Sequence, residues 1–354
     1  MRAAAWIAPE QLALVERDDP VAGAGQAVVA VSACGVCGSD LHSFRHGLAV
    51  KPGNVLGHEF CGRVLAAPGV DGLAAGDRVA VRPLMPCGEC DRCRAGELQL
   101  CEGAHQSDIG YGSAGAFADR VLVPRAVVGE TVFVLPPAVD DSGGALAEPL
   151  AVALHAVRLA RVQPGDVVLV LGGGMIGLAV TALLRLGGAG TVVVAEPSQL
   201  RRQRALALGA DQTVDPTEAD VTKLMRSLTG PGAYGLGARV DVVFECAGSA
   251  AALATALKSI RTGGTLVLSG IFGAEVGVRL DRVVEKELRV QGAVAYRDEF
   301  ADVIGYLADG RLRASDFVSH TFALEQIADA FAVQMDAGRA VKVQVRPVQV
   351  RPRI

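Results

Sequence analysis

The stretch Val167-Val168-Leu169-Val170-Leu171-Gly172-Gly173-Gly174-Met175-Ile176-Gly177-Leu178-Ala179-Val180-Thr181-Ala182-Leu183-Leu184 runs eighteen residues without a charge. That length is about the minimum for a membrane span, but the order of residues points elsewhere. A β-branched run comes first, then a glycine cluster, then helix-compatible residues from Met175 onward, which predicts a buried strand, a tight turn and a buried helix. The glycines satisfy G-x-G-x-x-G in the strand–turn–helix setting that the pattern requires. Gly172, Gly174, Met175, Ile176 and Gly177 are therefore the candidate dinucleotide-binding loop. Nineteen residues after Gly177, Glu196 closes the next β-branched run, Thr191 to Ala195, where a carboxylate can accept adenosine ribose hydroxyls. The same carboxylate repels a 2′-phosphate, so NAD is favoured over NADP. Arg201 and Arg202 follow closely and either soften that preference or form a solvated helix face.

Beyond Glu196 the pattern predicts helices at 199–208 and 219–228, a strand at 240–244, a helix at 250–260 and a strand at 265–269. Such alternation implies a doubly wound parallel sheet covered on both faces. The first 140 residues differ. Short β runs such as Ala27 to Val31 and Arg78 to Val81 are separated by Gly and Pro, with few helical periods, which suggests an irregular β barrel. At 354 residues and 51% hydrophobic composition the chain is large enough for two cores. No repeat or low-complexity segment is evident, and the tail from Arg346 to Arg353 is expected to extend from the body. The net charge of −4 is interspersed, without the stripes that mark nucleic-acid or membrane-surface binding. The N-terminus has one basic residue and a short apolar run stopped by Pro9-Glu10, poor material for a secretory signal. A cytoplasmic protein with a small-molecule partner, no nucleic acid and no membrane is the expectation.

The eight cysteines are unevenly placed. Cys87, Cys90, Cys93 and Cys101 fall within fifteen residues of a Pro/Gly-punctuated loop, and four thiolates at such spacing can close around one tetrahedral structural zinc. A disulfide pair and an iron–sulfur cluster are the competing readings. Cys37 precedes His58 of the run Gly57-His58-Glu59 by twenty-one residues, and thiolate, imidazole and carboxylate together suit an open, catalytic zinc. Asp40 is available to orient the imidazole. Cys34, Cys61 and Cys246 sit in apolar surroundings and read as small buried hydrophobes.

Taken in order, Cys37-Gly38-Ser39-Asp40-Leu41-His42, Gly57-His58-Glu59-Phe60-Cys61-Gly62, Gly76-Asp77-Arg78-Val79, the four-cysteine lobe and the glycine loop resemble the zinc-dependent medium-chain dehydrogenase/reductase family over essentially the whole chain. The resemblance implies an α/β fold: a GroES-like β-rich catalytic domain over residues 1–147, completed by 296–354, and a Rossmann domain over 148–295. It also implies NAD-linked hydride transfer at an alcohol carbon, with Cys37, His58 and either Glu59 or Glu148 around the catalytic zinc. Ser39 would take the hydroxyl proton and pass it by way of the nicotinamide ribose to His42, a relay of general acid–base type. Ser39 as a loop cap and His42 as a surface histidine are the alternatives.

Within the family, Glu148-Pro149-Leu150-Ala151-Val152 and Ala293-Val294-Ala295-Tyr296 look like the polyol and butanediol dehydrogenases. The implied reaction is reversible oxidation of a secondary alcohol, a vicinal diol or polyol, to the ketone. Glu148 is alternatively the start of a helix, with Pro149 at its first position. Two departures stand out: the run Arg63 to Gly69 is one residue shorter than usual, and Ser43 stands where polyol dehydrogenases often carry an aromatic residue. The latter points away from sorbitol itself. Competing functions are a biosynthetic cyclitol or amino-alcohol dehydrogenase, a threonine-type dehydrogenase, or a non-catalytic sensor that keeps NAD and zinc. Phe44, Leu84, Tyr111, Phe117, Phe272 and Arg297 are pocket candidates by family position, each equally readable as core or surface. The family further implies a homodimer or homotetramer, paired along 264–294.

Overall fold

The computed structural model describes residues 1–48, 50–103 and 106–347. The chain opens with strands β1 (Arg2–Ala8), β2 (Gln11–Glu16) and β3 (Ala27–Gly35), helix α1 (Gly38–His46), strands β4 (Glu59–Ala66) and β5 (Arg78–Val81) and the short helix α2 (Asp91–Arg94). Strands β6 (Arg120–Val123) and β7 (Val132–Val134) lead to the long helix α3 (Asp141–Ala160). Next come β8 (Val168–Leu171), α4 (Met175–Leu186), β9 (Val192–Ala195), α5 (Gln199–Ala207), β10 (Gln212–Val214) and α6 (Val221–Thr229). They are followed by β11 (Val240–Glu245), α7 (Ala250–Ser259), β12 (Ile260–Leu268), α8 (Asp281–Glu285) and β13 (Arg289–Gly292). Helix α9 (Glu299–Ala308), β14 (Val318–Ala323), α10 (Ile327–Met335) and β15 (Lys342–Arg346) complete the order. Two compact units divide the chain. One holds Met1–Ala151, Tyr296–Asp336 and the residues from Lys342 on; the other holds Val152–Ala295 and Ala337–Val341.

The second unit is built on a six-stranded parallel sheet in the order β10-β9-β8-β11-β12-β13. Strands β8 and β9 are buried along their whole length, the pattern expected of parallel strands covered on both faces. The chain leaves β8 toward β9 on one side and reaches β11 on the other, which makes the β8/β11 boundary the point where the winding reverses. Ligands of such sheets bind outside the carboxyl ends of the strands at that point. The charge-free stretch around Gly172 is therefore strand β8, a loop and helix α4. Among the described residues no helix is long and apolar enough to cross a membrane.

The first unit carries a seven-stranded sheet, β14-β15-β3-β4-β5-β7 with β6 also paired to β3, and a separate β1–β2 pair. All its ladders are antiparallel except β14–β15. Strand β3 has three neighbours, β4, β6 and β15, and is almost wholly buried. Its end leads straight into α1, so the residues from Cys37 onward are fixed where the sheet is best tied.

Two expectations are corrected here. Helix α3 begins at Asp141, not at Glu148. Asp140 starts it, its Oδ1 accepting from the Gly143 N–H at 2.7 Å and its carbonyl from Gly144 at 2.9 Å. Pro149 thus lies inside the helix, where it removes one backbone bond, and the fully buried Ala145, Leu146, Ala147, Leu150 and Ala151 hold the helix by packing. The tail does not leave the body at Arg346, which ends β15 and donates to Ser142 Oγ at 2.6 Å; Pro347 is also buried. The remainder of that tail lies outside the described residues.

Gly177 allows α4 to sit against the turn. A Cβ there would lie 1.8 Å from the Gly172 carbonyl oxygen. Gly177→Ala is expected to destabilise the nucleotide unit by about 1–3 kcal/mol and to weaken dinucleotide binding, as measured by chemical denaturation and NADH fluorescence titration.

Candidate functional site

Sheet register brings the first cluster together. Gly35 at the end of β3 pairs with Glu59 at the start of β4, so Cys37, just beyond β3, faces His58, just before β4. Ligand atoms of Cys37, His58 and Glu59 all lie within 4.8 Å of one another. Asp40 ties the two loops: Oδ2 accepts from the Cys37 N–H at 2.9 Å and Oδ1 from the Gly57 N–H at 3.2 Å. Asp40 Oδ1 is also 3.4 Å from His58 Nδ1, which is buried without a closer partner. This is the arrangement in which a ligating histidine turns its second nitrogen to a carboxylate. Burial alone would push the His58 imidazole down, but Tyr111, Asp40 and Cys37 outweigh it and raise it well above its ordinary value. Surroundings that draw a proton onto a buried ring also draw a cation, and the donor set fits zinc.

Glu59 carries a partner that the sequence did not disclose. Lys342 Nζ donates to Glu59 Oε1 and Oε2 at 2.8 and 2.7 Å and to the Val36 carbonyl at 3.0 Å. Burial pushes the lysine down, yet Glu59 and Cys37 more than offset this and hold it above the ordinary lysine range. The ammonium is therefore charged throughout the neutral range, and the stability it contributes is lost as pH rises through that elevated lysine value. Gly35 makes room for it, since a Cβ there would sit 2.1 Å from Glu59 Oε2.

Glu148 lies outside the three-ligand cluster but within its electrostatic reach. Burial pushes its carboxyl up to about 7, with His58 and Lys342 pulling it down and Glu59 and Asp40 pushing it further up. Tyr296, fully buried, has a hydroxyl without a hydrogen-bond partner, and its ring lies 5.2 Å from the Arg82 guanidinium. Burial raises this phenol first, and Glu148 is the charge that raises it most. Ser39 and His42 are three residues apart on α1 and so share one face of it. Ser39 Oγ accepts from the Tyr111 hydroxyl at 2.7 Å.

Several pocket candidates prove to be core. Phe44 and Phe117 both pack on Phe331, at 5.1 and 5.5 Å between ring centroids, and Phe272 packs on the core of the second unit. Arg297 donates to the carbonyls of Gly96 and Ala95 instead of facing the cluster. Leu84 is half-buried. Ser43 is buried and donates to the Leu48 carbonyl at 2.9 Å, so its small size is accounted for by helix packing. Cys34 and Cys61 are buried and Cys246 half-buried.

The four-cysteine lobe has little core besides its sulfurs: Cys93 and Cys101 are buried, with Cys90 and Leu98 packed against them. Cys87 and Cys93 sulfurs lie 3.9 Å apart and those of Cys90 and Cys101 4.0 Å. Disulfide sulfurs stand about 2.05 Å apart, whereas four sulfurs about 2.3 Å from one tetrahedral centre are about 3.8 Å from each other. Backbone N–H groups hold the Cys90 thiol down to about 6 and lower that of Cys87, while burial raises Cys93 to about 12. These four side chains would hold a structural zinc.

In the second unit Glu196 stands at the end of β9, beside the loop, but both its oxygens are engaged. Oε2 accepts from the Gly173 N–H at 2.6 Å and Oε1 from the Ser198 N–H at 2.9 Å. Arg201 and Arg202 do not form a free solvated face. Arg201 Nε donates to the Ala340 carbonyl at 3.0 Å, and Arg202 pairs with Asp215 at 2.8 Å.

Comparison with known proteins fits this geometry. Residues 23–132 match the alcohol dehydrogenase GroES-like domain and residues 175–309 the zinc-binding dehydrogenase family. The chain is 31% identical over 334 residues to sorbitol dehydrogenase of Bacillus subtilis (strain 168), covering 91% of this chain and 90% of that one. The crystal structure of 2R,3R-butanediol dehydrogenase from Bacillus subtilis is 31% identical, with a TM-score of 0.86 over 98% of this chain and 99% of that one. A zinc-binding dehydrogenase of Sinorhizobium meliloti 1021, solved bound to NADP, is 34% identical with a TM-score of 0.88, over 98% and 99% of the two chains. The chain belongs to the zinc-dependent medium-chain dehydrogenase/reductase family. It is a zinc-type alcohol dehydrogenase that uses a nicotinamide cofactor, with a GroES-like domain and a Rossmann-type parallel-sheet domain.

Lys342→Met leaves the Glu59 carboxylate buried without its partner and is expected to cost about 3–5 kcal/mol in metal-free protein. Adding Glu59→Leu should recover most of that loss. Chemical denaturation in the presence of a chelator measures both.

Proposed function

We propose that the protein oxidises a vicinal diol or polyol to the corresponding hydroxyketone, with NAD as hydride acceptor. The observation that carries this reading is the polar character of the groups around the Cys37–His58–Glu59 cluster: the Ser39 and Tyr111 hydroxyls bonded to one another, and Glu148 within electrostatic reach. A substrate with several hydroxyl groups can satisfy such groups, whereas a simple alkyl alcohol leaves them unpaired at a cost. Likeness to a sorbitol dehydrogenase and a butanediol dehydrogenase supports the same substrate class.

Cys37, His58 and one carboxylate, Glu59 or Glu148, would hold the catalytic zinc. Bound there, zinc acts as a Lewis acid that makes a hydroxyl proton easy to lose near neutral pH. With both oxygens of Glu59 held by Lys342, Glu148 is the carboxylate free to turn toward cation or water. Ser39 accepts the substrate hydroxyl proton and passes it on toward His42. Gly172, Gly174, Met175, Ile176 and Gly177 would hold the pyrophosphate at the N-terminus of α4, and Glu196 and Arg201 would serve the adenosine ribose. Glu196 favours NAD over NADP. The eight unpaired thiols suit a reducing, cytoplasmic setting.

The protein further assembles as a homodimer or tetramer through the second unit. Its edge strand β13 bears the exposed Val290, and Leu280, Val284 and Val294 nearby are exposed as well. An open edge with apolar side chains is a pairing surface.

Zinc-replete protein is expected to form NADH from vicinal diols or polyols faster than from matched secondary mono-alcohols, and Cys37→Ala to abolish this. Ser39→Ala should lower kcat about 100-fold or more while leaving NADH affinity within about twofold; equal losses in both would remove Ser39 from the relay. Light scattering should give a mass of at least two chains, and Val290→Lys with Val284→Lys should lower it. A monomeric wild type would dismiss the assembly.

A further inference from the structure

The loop after the four-cysteine lobe brings a phenol to the hydroxyl assigned to proton transfer. Tyr111 lies in a turn in which its N–H donates to the Asp108 carbonyl at 3.2 Å and its own carbonyl accepts from Asn54 Nδ2 at 3.4 Å. The chain beyond is tied to the residues around His58: Gly115 N–H to Val55 O at 2.8 Å, Phe117 N–H to Leu56 O at 3.0 Å and Ala116 N–H to Gly57 O at 2.8 Å. The Tyr111 ring consequently rests against His58, centroids 5.2 Å apart and planes inclined by 34°. Its hydroxyl donates to Ser39 Oγ at 2.7 Å. Tyr111 is half-buried, and the backbone on both sides of it is hydrogen-bonded.

Hydrogen-bond capacity then limits what the two hydroxyls can do. A serine hydroxyl has one proton and two lone pairs. With Tyr111 donating to one lone pair, Ser39 keeps the other for the hydroxyl being oxidised and keeps its own proton to pass on. The phenol oxygen has spent its proton on Ser39 and can only accept. Two oxygens 2.7 Å apart, each with acceptor capacity left, match a pair of gauche vicinal hydroxyls, whose oxygens are also about a hydrogen-bond length apart. We propose that Tyr111 is a specificity-determining residue for vicinal diols: its oxygen accepts from the hydroxyl adjacent to the one whose proton goes to Ser39. An alkyl group at that position leaves the phenol oxygen unpaired, and sites built to bond a substrate hydroxyl discriminate strongly against analogues that lack it. The inference rests on the diol reading above.

Wild type and Tyr111→Phe are to be compared on butane-2,3-diol and butan-2-ol, by steady-state NAD reduction and by calorimetric titration of each alcohol into the zinc-loaded enzyme with NADH. For Tyr111→Phe the diol kcat/KM is expected to fall about 10-fold or more, chiefly through KM, and the calorimetric affinity by a similar factor. Butan-2-ol should change by less than about twofold on either readout. Equal losses on both alcohols would overturn the proposal and leave Tyr111 as a residue that merely positions Ser39; no change on either would overturn it too. A wild type that prefers butan-2-ol overturns the diol reading itself, and Tyr111's role with it, before any variant is made. A diol-preferring wild type whose Tyr111→Phe variant keeps that preference in full overturns Tyr111 alone. Ser39→Ala gives a second arm that keeps the phenol: it should lose turnover yet still bind the diol in preference to butan-2-ol, and loss of that preference would count against Tyr111.

Discussion

Glu59 and Lys342 are 283 residues apart in sequence and 2.7 Å apart in space, with side chains only 1% and 3% exposed. Two charges so sealed from water are tolerable only when each meets the other in good geometry, and that requirement reaches far into the first unit. Strand β15 must pair with β3, so that Lys342 arrives beside Val36, and β3 must pair with β4, so that Gly35 stands opposite Glu59. The residues just outside those strands are Cys37 after β3 and His58 before β4. The ion pair and the three-ligand cluster therefore depend on the same register, and a slip of one residue in β3 would turn every side chain to the other face. Asp40 adds the local lock, joining the Cys37 and Gly57 backbones through one carboxylate.

Carboxylates serve backbone amides in the second unit as well. Glu196 at the end of β9 takes the N–H groups of Gly173 and Ser198, and Glu245 at the end of β11 takes those of Ala247 and Gly248 at 3.1 and 2.8 Å. These two strands flank β8, from which the glycine loop springs. Glu196 thus sets the glycine loop and Glu245 the turn that follows β11 before any ligand binds, and amides left free at the start of α4 are those available to an anion. Such preorganisation reduces the ordering cost of binding. Burial raises Glu245, against the pull of three backbone amides, and its Oε2 is buried without a partner, so it holds the turn after β11 through one oxygen where Glu196 uses both.

Patterns that are local in sequence were legible there, and relations that cross the fold were not. The strand, turn and helix around Gly172 follow from a β-branched run, three consecutive glycines and an apolar helix, all within eighteen residues. Cys87, Cys90, Cys93 and Cys101 announce themselves by close spacing, and the sulfur separations of 3.9 and 4.0 Å then favour a shared metal over disulfides. Lys342, by contrast, is a single lysine ahead of an alternating strand, with the ordinary signature of a solvated residue; its burial is decided by a partner on β4. The start of α3 was misread because Pro149 is a good first helical residue, and the Asp140 cap lay nine residues earlier without a distinctive motif. Phe44 and Phe117 were ambiguous for a related reason: aromatic residues fill cores and line pockets alike, and only their shared contact with Phe331 in α10 separates the two.

Charge balance connects the lysine to the choice of carboxylate. Cys37, Asp40, Glu59 and Glu148 bring four acidic side chains to one region, in which Lys342 is the cationic partner of Glu59. Burial, with Glu59 and Asp40, pushes the Glu148 carboxyl up to about 7, and Tyr111, Asp40 and Cys37 raise the His58 imidazole well above its ordinary value despite burial. A divalent cation bound among these groups would favour their deprotonated forms. Because Lys342 already satisfies Glu59 on both oxygens, drawing Glu59 fully onto the cation would strand the ammonium in a buried site, at a cost of several kcal/mol. Glu148 carries no such obligation: none of the hydrogen bonds described above uses its carboxylate. Lys342, at the start of β15, is what makes the two glutamates unequal: Glu148 would approach a cation without stranding a buried ammonium.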